Sequence, residues 1–242
     1  DFQKSKELID KDTLLIAMDF CNKKLIENED LLELDTIIID HHVIDENLKI
    51  NSIYELIDNN ASSASEIITF FMNQLHIQPS SLVSTLLLVG IEVDTNGYMM
   101  KTTSKTFLAS SILLDLKADC KIKTEILKET RENYIKKANI IKRSYMVNDQ
   151  MIICILNNEI YDQKDLAEVA DELIQFEDVE ASFVIGKIEQ NKVSISARSI
   201  GNINVQQIMN SLGGGGSQTS AAAQFQDKTI REAKEKLLKI IR

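Results

Sequence analysis

The 242-residue sequence has few of the residues that build metal–thiolate sites. Its three cysteines, Cys21, Cys120 and Cys154, are odd in number and far apart, and none belongs to a C-x-x-C pair. The spacing therefore gives no sign of a cysteine-bound metal. We expect a protein of a reduced compartment, the cytoplasm.

The sequence also lacks long apolar runs and an excess of positive charge. No apolar stretch approaches the roughly 20 residues that cross a bilayer, so we expect no membrane contact from this chain itself. The formal net charge of −10 argues against binding to duplex nucleic acid, which depends on a basic surface facing the phosphates. A small anionic ligand in a local site remains compatible with this charge.

Histidine is scarce, yet two of the three histidines are adjacent. The run "TIIIDHH" places His41 and His42 directly after an apolar segment and Asp40. Histidine is useful where a proton or a metal is held near neutral pH and is costly to bury otherwise. The third, His76, lies at a predicted helix end, where a surface position is expected.

Two short apolar runs, "TLLIAMD" (13–19) and "TIIIDHH" (36–42), predict strands of a parallel sheet that is covered on both faces. A loosely helical segment, 22–34, separates them. This β-α-β order places ligand sites at the carboxyl ends of the strands.

Helices are predicted over 60–75 and 80–95. Ser63 and Glu66 have the spacing of a capping box at the start of the first helix. The second is expected to end near Gly90 and to lead into an acidic turn at Asp94.

The rest of the chain predicts a helical connector and a second unit. The segment from Thr106 to Arg143 contains neither proline nor glycine and has periodic isoleucine and leucine. A strand "QMIICIL", a hairpin around "EQNK" and three helices follow. We predict an α/β protein with a parallel-sheet domain (1–115), a helical connector (116–145) and a smaller α/β domain (146–242).

Three aspartates, Asp19, Asp40 and Asp94, follow apolar runs and should emerge near one sheet edge with the two histidines. Carboxylate and imidazole ligands suit Mn²⁺, Fe²⁺ or Zn²⁺, and two such ions can stabilise both oxygens of a phosphoryl displacement. Any one strand-end aspartate could instead be a cap or turn residue.

Half of the eight glycines lie together in "GGGGS", 213–217. This string is also a common flexible linker, but the helical "NVQQIMNSL" before it and the small residues after it favour a native loop. Such a loop can expose backbone N–H groups to a phosphate. Arg198 is either a surface arginine or a phosphate contact beside this loop.

Asp-His-His after an apolar strand, "GIEVDT" some 50 residues later and "SISARSIGNINVQQIMNSLGGGGSQTSAAAQ" together resemble the DHH-DHHA1 phosphoesterase family. Within that family the chain is similar to the bacterial cyclic-di-AMP phosphodiesterases of the GdpP type. "NASSASE" and "TTSKTFLASSILL" also resemble segments of that group, so the similarity covers nearly the whole chain.

The resemblance implies a two-manganese site that hydrolyses cyclic di-AMP to linear pApA. It assigns metal binding to Asp19, His41 and Asp94, and catalytic roles to His42, which faces the phosphate, and to Asp40, which supports the pair. It assigns substrate binding to residues of the second domain: Arg198, Gly214, Gly215, Gly216 and Ser217.

Three departures from the family pattern bear on activity. The first motif, a histidine with spaced aspartates, is absent from this chain, so the first metal lacks most of its ligands unless a segment upstream supplies them. Ser217 stands where the family usually has histidine, and "FCNKK" and "VIDEN" replace the usual sequences after Asp19 and His42.

Two alternative functions follow: hydrolysis of short oligonucleotides or pApA, and noncatalytic dinucleotide binding. The expected partner is a cyclic dinucleotide or short oligonucleotide substrate, and a homodimer is left open.

Overall fold

The structure is a computed structural model that describes residues 8–10, 12–20, 31, 33–42 and 50–241. The chain divides into two units, Asp1–Lys128 and Glu129–Arg242, and each has its own sheet with helices. The predicted α/β class is confirmed. Most of the segment 22–34, for which a helix is predicted, lies outside the described residues, and so does Cys21.

Among the described residues, the sheet of the first unit has three parallel strands in the order β1-β2-β3. These are β1 (Leu14–Met18), β2 (Asp35–Asp40) and β3 (Ser52–Ile57). The apolar runs predicted β1 and β2, but β3 was not predicted. It lies at an edge of the described sheet with Ile53 and Tyr54 exposed, so its sequence carries no buried apolar run.

The described residues of the first unit include the helices α1 (Ala64–Gln74), α2 (Ser81–Asp94), α3 (Ser104–Asp115) and α4 (Cys120–Leu127). Leu88 and Ile91 of α2 pack with Ala109 and Leu113 of α3 in a buried cluster.

The prediction that α2 ends near Gly90 is wrong, because the helix continues through this glycine to Asp94. A Cβ at Gly90 would overlap Ser65 Oγ on α1. The glycine therefore permits close packing of two helices and does not end one.

The segment predicted as a connector contains separate helices of both units. After α3 and α4, helix α5 (Arg131–Ile141) belongs to the second unit. Asp119 accepts hydrogen bonds from the backbone N–H groups at the start of α4, and Thr130 does so for α5. Capping side chains thus divide the helices although the segment has no proline or glycine.

The second unit has a six-stranded mixed sheet in the order β4-β5-β6-β7-β9-β8. Only the β5–β6 pair is parallel among its described strands. The strands are β4 (Tyr145–Met146), β5 (Met151–Ile160), β6 (Ala181–Glu189), β7 (Lys192–Ser199), β8 (Gly215–Gly216) and β9 (Ser220–Gln226). The predicted β6–β7 hairpin is confirmed.

Three further helices cover the two faces of this sheet: α6 (Gln163–Leu173), α7 (Val205–Ser211) and α8 (Ile230–Ile241). Phe183 and Ile195 pack on the side of α7 and α8, whereas Val184 packs on the side of α6. This alternation gives each face its own apolar core.

The glycine run is part of the second unit's folded structure. Gly213 has a φ of 81°, its N–H donates to Asn210 O, and the N–H of Gly214 donates to Met209 O at 2.8 Å. These bonds form a Schellman motif that ends α7. The next two glycines form β8 against β9, so the run is not a free linker.

Among the described residues, no helix combines the length and apolar character that spanning a membrane requires.

We expect Gly214→Ala to lower the free energy of unfolding of the second unit by about 1–3 kcal/mol, because the new Cβ would overlap Ala222 O and Ala223. Gly215→Ala is the matched control, since its nearest neighbour would be Asn210 Oδ1 at 3.8 Å, and it should change stability by less than ~0.5 kcal/mol. Urea denaturation measures both. Equal losses would contradict the packing argument.

Candidate functional site

The strand ends place three predicted residues at one sheet edge. Asp19 follows β1 with a φ of 55°, a left-handed conformation that aspartate tolerates, and its N–H donates to Ile39 O at 3.0 Å. His41 and His42 follow β2 directly. Because β1 and β2 are parallel, their carboxyl ends coincide.

Asp94 reaches the same place from helix α2, of which it is the last residue. Thr95 follows it fully buried, and its hydroxyl donates to Ile91 O at 2.7 Å. The end of the helix is therefore fixed beside the sheet edge.

Side chains from the two strand ends and from the end of α2 then lie within a few ångströms of His41. His41 Nε2 lies 3.4 Å from Asp19 Oδ1 and 3.9 Å from Asp94 Oδ2, and His42 Nδ1 lies 3.4 Å from Asp19 Oδ1. One ligand atom from each of Asp19, Asp40, His41 and His42 lies within 4.8 Å of the others. The structure thus brings together Asp19, His41 and Asp94, the residues predicted to bind metal.

The tautomer of His41 suits a metal ligand. Its Nδ1 lies 3.3 Å from Ala61 O, a carbonyl oxygen that can only accept a hydrogen bond. With the hydrogen on Nδ1, Nε2 would present its lone pair toward the carboxylates of Asp19 and Asp94. Metal-binding histidines are commonly held through a hydrogen bond of this kind.

The two carboxylates favour a cation between them. Partial burial raises the pKa of Asp94, and the negative charge of Asp19 raises it further, against smaller opposite effects of His41 and His42. Two acids that repel each other beside an imidazole lone pair fit a divalent ion, which would relieve the repulsion.

Asp40 has a different position, fully buried beneath the histidines. Its Oδ1 accepts from His41 N, His42 N and His42 Nδ1 at 2.6, 2.8 and 2.9 Å, and its Oδ2 accepts from Phe20 N at 2.6 Å. Burial alone raises the pKa of Asp40, but the hydrogen bonds from His42 and Phe20 outweigh burial and the pKa is lowered. The ionised carboxylate fixes the backbone and the His42 ring.

A buried carboxylate that the sequence did not indicate, Glu66, fixes the segment that contacts His41. Ser63 accepts from Glu66 N at 3.0 Å, as the capping box predicts, but Glu66 Oε2 accepts from the N–H and hydroxyl of Ser62 and from Thr106 Oγ1. This buried carboxylate ties α1 to α3 and fixes the residue next to Ala61. In the sequence, the run "ASSASE" is the only indication of this hydrogen-bonded carboxylate.

In the second unit, Arg198 on β7 is held in an ion pair that the sequence did not indicate. Its Nε and Nη2 donate to the carboxylate oxygens of Asp171 on α6 at 2.7 and 3.4 Å. Burial raises the pKa of Asp171, and the charge of Arg198 partly opposes this rise. Asp171 looks like a surface residue in "AEVADEL" because the partner strand lies far along the chain.

Arg198 and the glycine loop lie at one end of the same sheet. Arg198 pairs with Ser220 of β9, and Gly216 pairs with the next residue, Ala221. The N–H of Gly214 is engaged in ending α7, and the N–H of Ser217 donates to Ser220 O at 2.7 Å. Gly215 and Gly216 lie on β8, an edge strand with one unpaired side.

Comparisons with known proteins match both units. Residues 2–91 match the DHH family, N-terminal domain, and residues 148–242 match the DHHA1 domain. The chain is 40% identical over 246 residues to the cyclic-di-AMP phosphodiesterase GdpP of Geobacillus thermodenitrificans, covering 99% of this chain and 37% of that protein. It therefore spans little more than a third of this relative's length.

A more distant relative has another activity in its name. The chain is 27% identical over 229 residues to the bifunctional oligoribonuclease and PAP phosphatase NrnA of Mycoplasma genitalium, covering 90% of this chain and 70% of that protein. The fold itself is shared with an exopolyphosphatase-related protein from Bacteroides fragilis. That structure gives a TM-score of 0.84 at 17% identity, covering 99% of this chain and 75% of that chain.

We expect His41→Ala to weaken Mn²⁺ binding at least about tenfold, because it removes the nitrogen between the two carboxylates. His76→Asn is the control, since His76 is exposed with a φ of 54°, which asparagine tolerates. Isothermal titration calorimetry compares the variants. Unchanged binding in His41→Ala would refute the assignment of His41.

Proposed function

We propose that this chain, which belongs to the DHH-DHHA1 family, hydrolyses a phosphodiester bond of cyclic di-AMP to give linear pApA. The observation that carries the proposal is the convergence of Asp19, His41, His42 and Asp94 at one sheet edge. The 40% identity to a cyclic-di-AMP phosphodiesterase over nearly the whole chain supports the choice of substrate.

Asp19, His41 and Asp94 are the proposed metal ligands, with two manganese ions in the complete site. Bound divalent ions supply Lewis-acid stabilisation of phosphoryl oxygens and lower the pKa of water. Carboxylate oxygens with one imidazole nitrogen match the ligand preference of Mn²⁺. Asp19 is half-exposed and lies 3.4 Å from both histidines, so its carboxylate would be accessible to a metal ion beside them.

His42 is the proposed contact with the phosphate. Its Nδ1 lies 2.9 Å from Asp40 Oδ1, so Nε2 is the nitrogen that remains for the substrate. Its side chain is 37% exposed, compared with 4% for His41. The buried histidine therefore suits a ligand, and the accessible one suits substrate contact.

Arg198 and the loop 214–217 are the proposed substrate-holding part of the second unit. A guanidinium has five N–H donors. Asp171 accepts from Nε and Nη2, and Ala197 O and Ser196 Oγ accept from Nη1. One N–H of Nη2 is then left for a phosphate, so Asp171 orients Arg198 and limits how many bonds it can give.

A second candidate function is hydrolysis of short linear oligonucleotides. The similarity to the Mycoplasma genitalium protein favours it, and the same metal ligands would serve. Ser217 stands where the family usually has histidine. Its hydroxyl, which lies 3.3 Å from Ser220 O, can donate a hydrogen bond, but it cannot protonate a leaving group as an imidazolium does.

The test compares hydrolysis of cyclic di-AMP with that of linear pApA by the full-length protein in Mn²⁺, with chelator as the control. We expect kcat/KM to be higher for cyclic di-AMP and chelation to abolish hydrolysis of both. Faster cleavage of pApA would support the second candidate. Binding of cyclic di-AMP without hydrolysis would indicate a noncatalytic module and refute the proposal.

We expect Arg198→Ala to raise KM for cyclic di-AMP with little change in kcat, because Arg198 contributes binding. It should also lower the free energy of unfolding by about 1–3 kcal/mol, because a largely buried Asp171 carboxylate loses its partner. The double variant Arg198→Ala/Asp171→Asn separates the two effects. It should regain stability and keep the high KM, whereas recovery of KM would show that Arg198 acts only through folding.

A further inference from the structure

A polar pocket of about 600 Å³ lies in the first unit between residues 59–61 and 98–103. We call it the asparagine pocket, after Asn59 and Asn60. Its volume is in the range of pockets that bind small molecules. None of the proposed metal ligands lines it.

Both walls of the asparagine pocket are connected to the metal ligands. Ala61 lines the pocket and its carbonyl lies 3.3 Å from His41 Nδ1. The opposite wall belongs to the loop that begins directly after Asp94. The pocket therefore adjoins the carbonyl that contacts His41 and the loop that follows Asp94.

The loop that forms this wall has an unusual backbone. Asn96, Gly97, Tyr98 and Lys101 have φ values of 47°, 67°, 65° and 50°. The buried Thr95 holds it, because its hydroxyl accepts from Tyr98 N at 3.0 Å and its carbonyl from the next two N–H groups at 2.9 Å. Left-handed non-glycine residues cluster at ligand-binding sites, where surrounding contacts maintain them.

The pocket presents groups that match a nucleotide. Asn59, Asn60 and Lys101 line the pocket and are exposed, so their polar groups are accessible to a ligand. Asparagine can pair with the N6 and N7 edge of adenine, and Met99, which is 56% exposed, offers an apolar surface. Lys101 offers a cation for a phosphate.

We propose that the asparagine pocket binds one adenine nucleotide unit of the substrate, with Asn59 and Asn60 contacting the base and Lys101 a phosphate. The inference rests on the proposed function for the identity of the substrate. It adds a binding site in the first unit that determines the preference for adenine.

The double variant Asn59→Ala/Asn60→Ala tests this assignment in the full-length protein. We expect KM for cyclic di-AMP to rise about tenfold and the preference for cyclic di-AMP over cyclic di-GMP to fall about tenfold, as loss of a base contact predicts. Hydrolysis of bis(p-nitrophenyl) phosphate, which has no base, should remain at the parent rate. Asn191→Ala, an exposed asparagine between β6 and β7, is the control and should change neither.

Titration with AMP tests the pocket without catalysis. The double variant should bind AMP at least fivefold more weakly than the parent and Asn191→Ala, and Lys101→Gln should also bind it more weakly. Equal AMP affinity in the parent and the double variant would overturn the proposal. A parent that cleaves bis(p-nitrophenyl) phosphate but no dinucleotide would refute the proposed function, and the AMP comparison would still decide on the pocket.

Discussion

The candidate site depends on one buried charge, the carboxylate of Asp40. A fully buried carboxylate is costly unless its oxygens are occupied, and here three backbone N–H groups and an imidazole occupy them. These donors come from the chain that leaves β1 at Phe20 and from the chain that leaves β2 at His41 and His42. One charge therefore sets the relative positions of two strand ends and of the histidines between them.

The same principle recurs in both units: residues with apparent chemical roles are held by polar residues that look ordinary in the sequence. Glu66 fixes the segment whose carbonyl orients His41, and Asp171 orients Arg198. In each case the supporting carboxylate lies on a helix and its partner on another element. Such supports keep the rotamers of functional side chains fixed, which a loop alone cannot do.

Much of the fold could be predicted because local patterns agreed with tertiary structure. The apolar runs mark the parallel strands β1 and β2, although Leu14, Ile16 and Met18 of β1 are exposed and the expected cover on both faces is not seen there among the described residues. Ser63 begins α1 as its spacing indicates. Asp19, His41 and His42 meet at the sheet edge because β1 and β2 are parallel, whereas Asp94 reaches it from the end of α2. Other features leave no periodic pattern in the sequence. The strand β3 and the partner of Arg198 depend on contacts distant in sequence. The caps at Asp119 and Thr130 are side chains that also occur in ordinary loops.

The close approach of Gly214 and Gly216 to strand β9 has a consequence for protein engineering. A designer who reads "GGGGS" as an inert spacer would feel free to lengthen it, trim it or exchange it for another hydrophilic tether. Here the stretch terminates helix α7 and forms the edge strand β8. Although its composition is that of a linker, Gly214 and Gly216 leave no space for a Cβ.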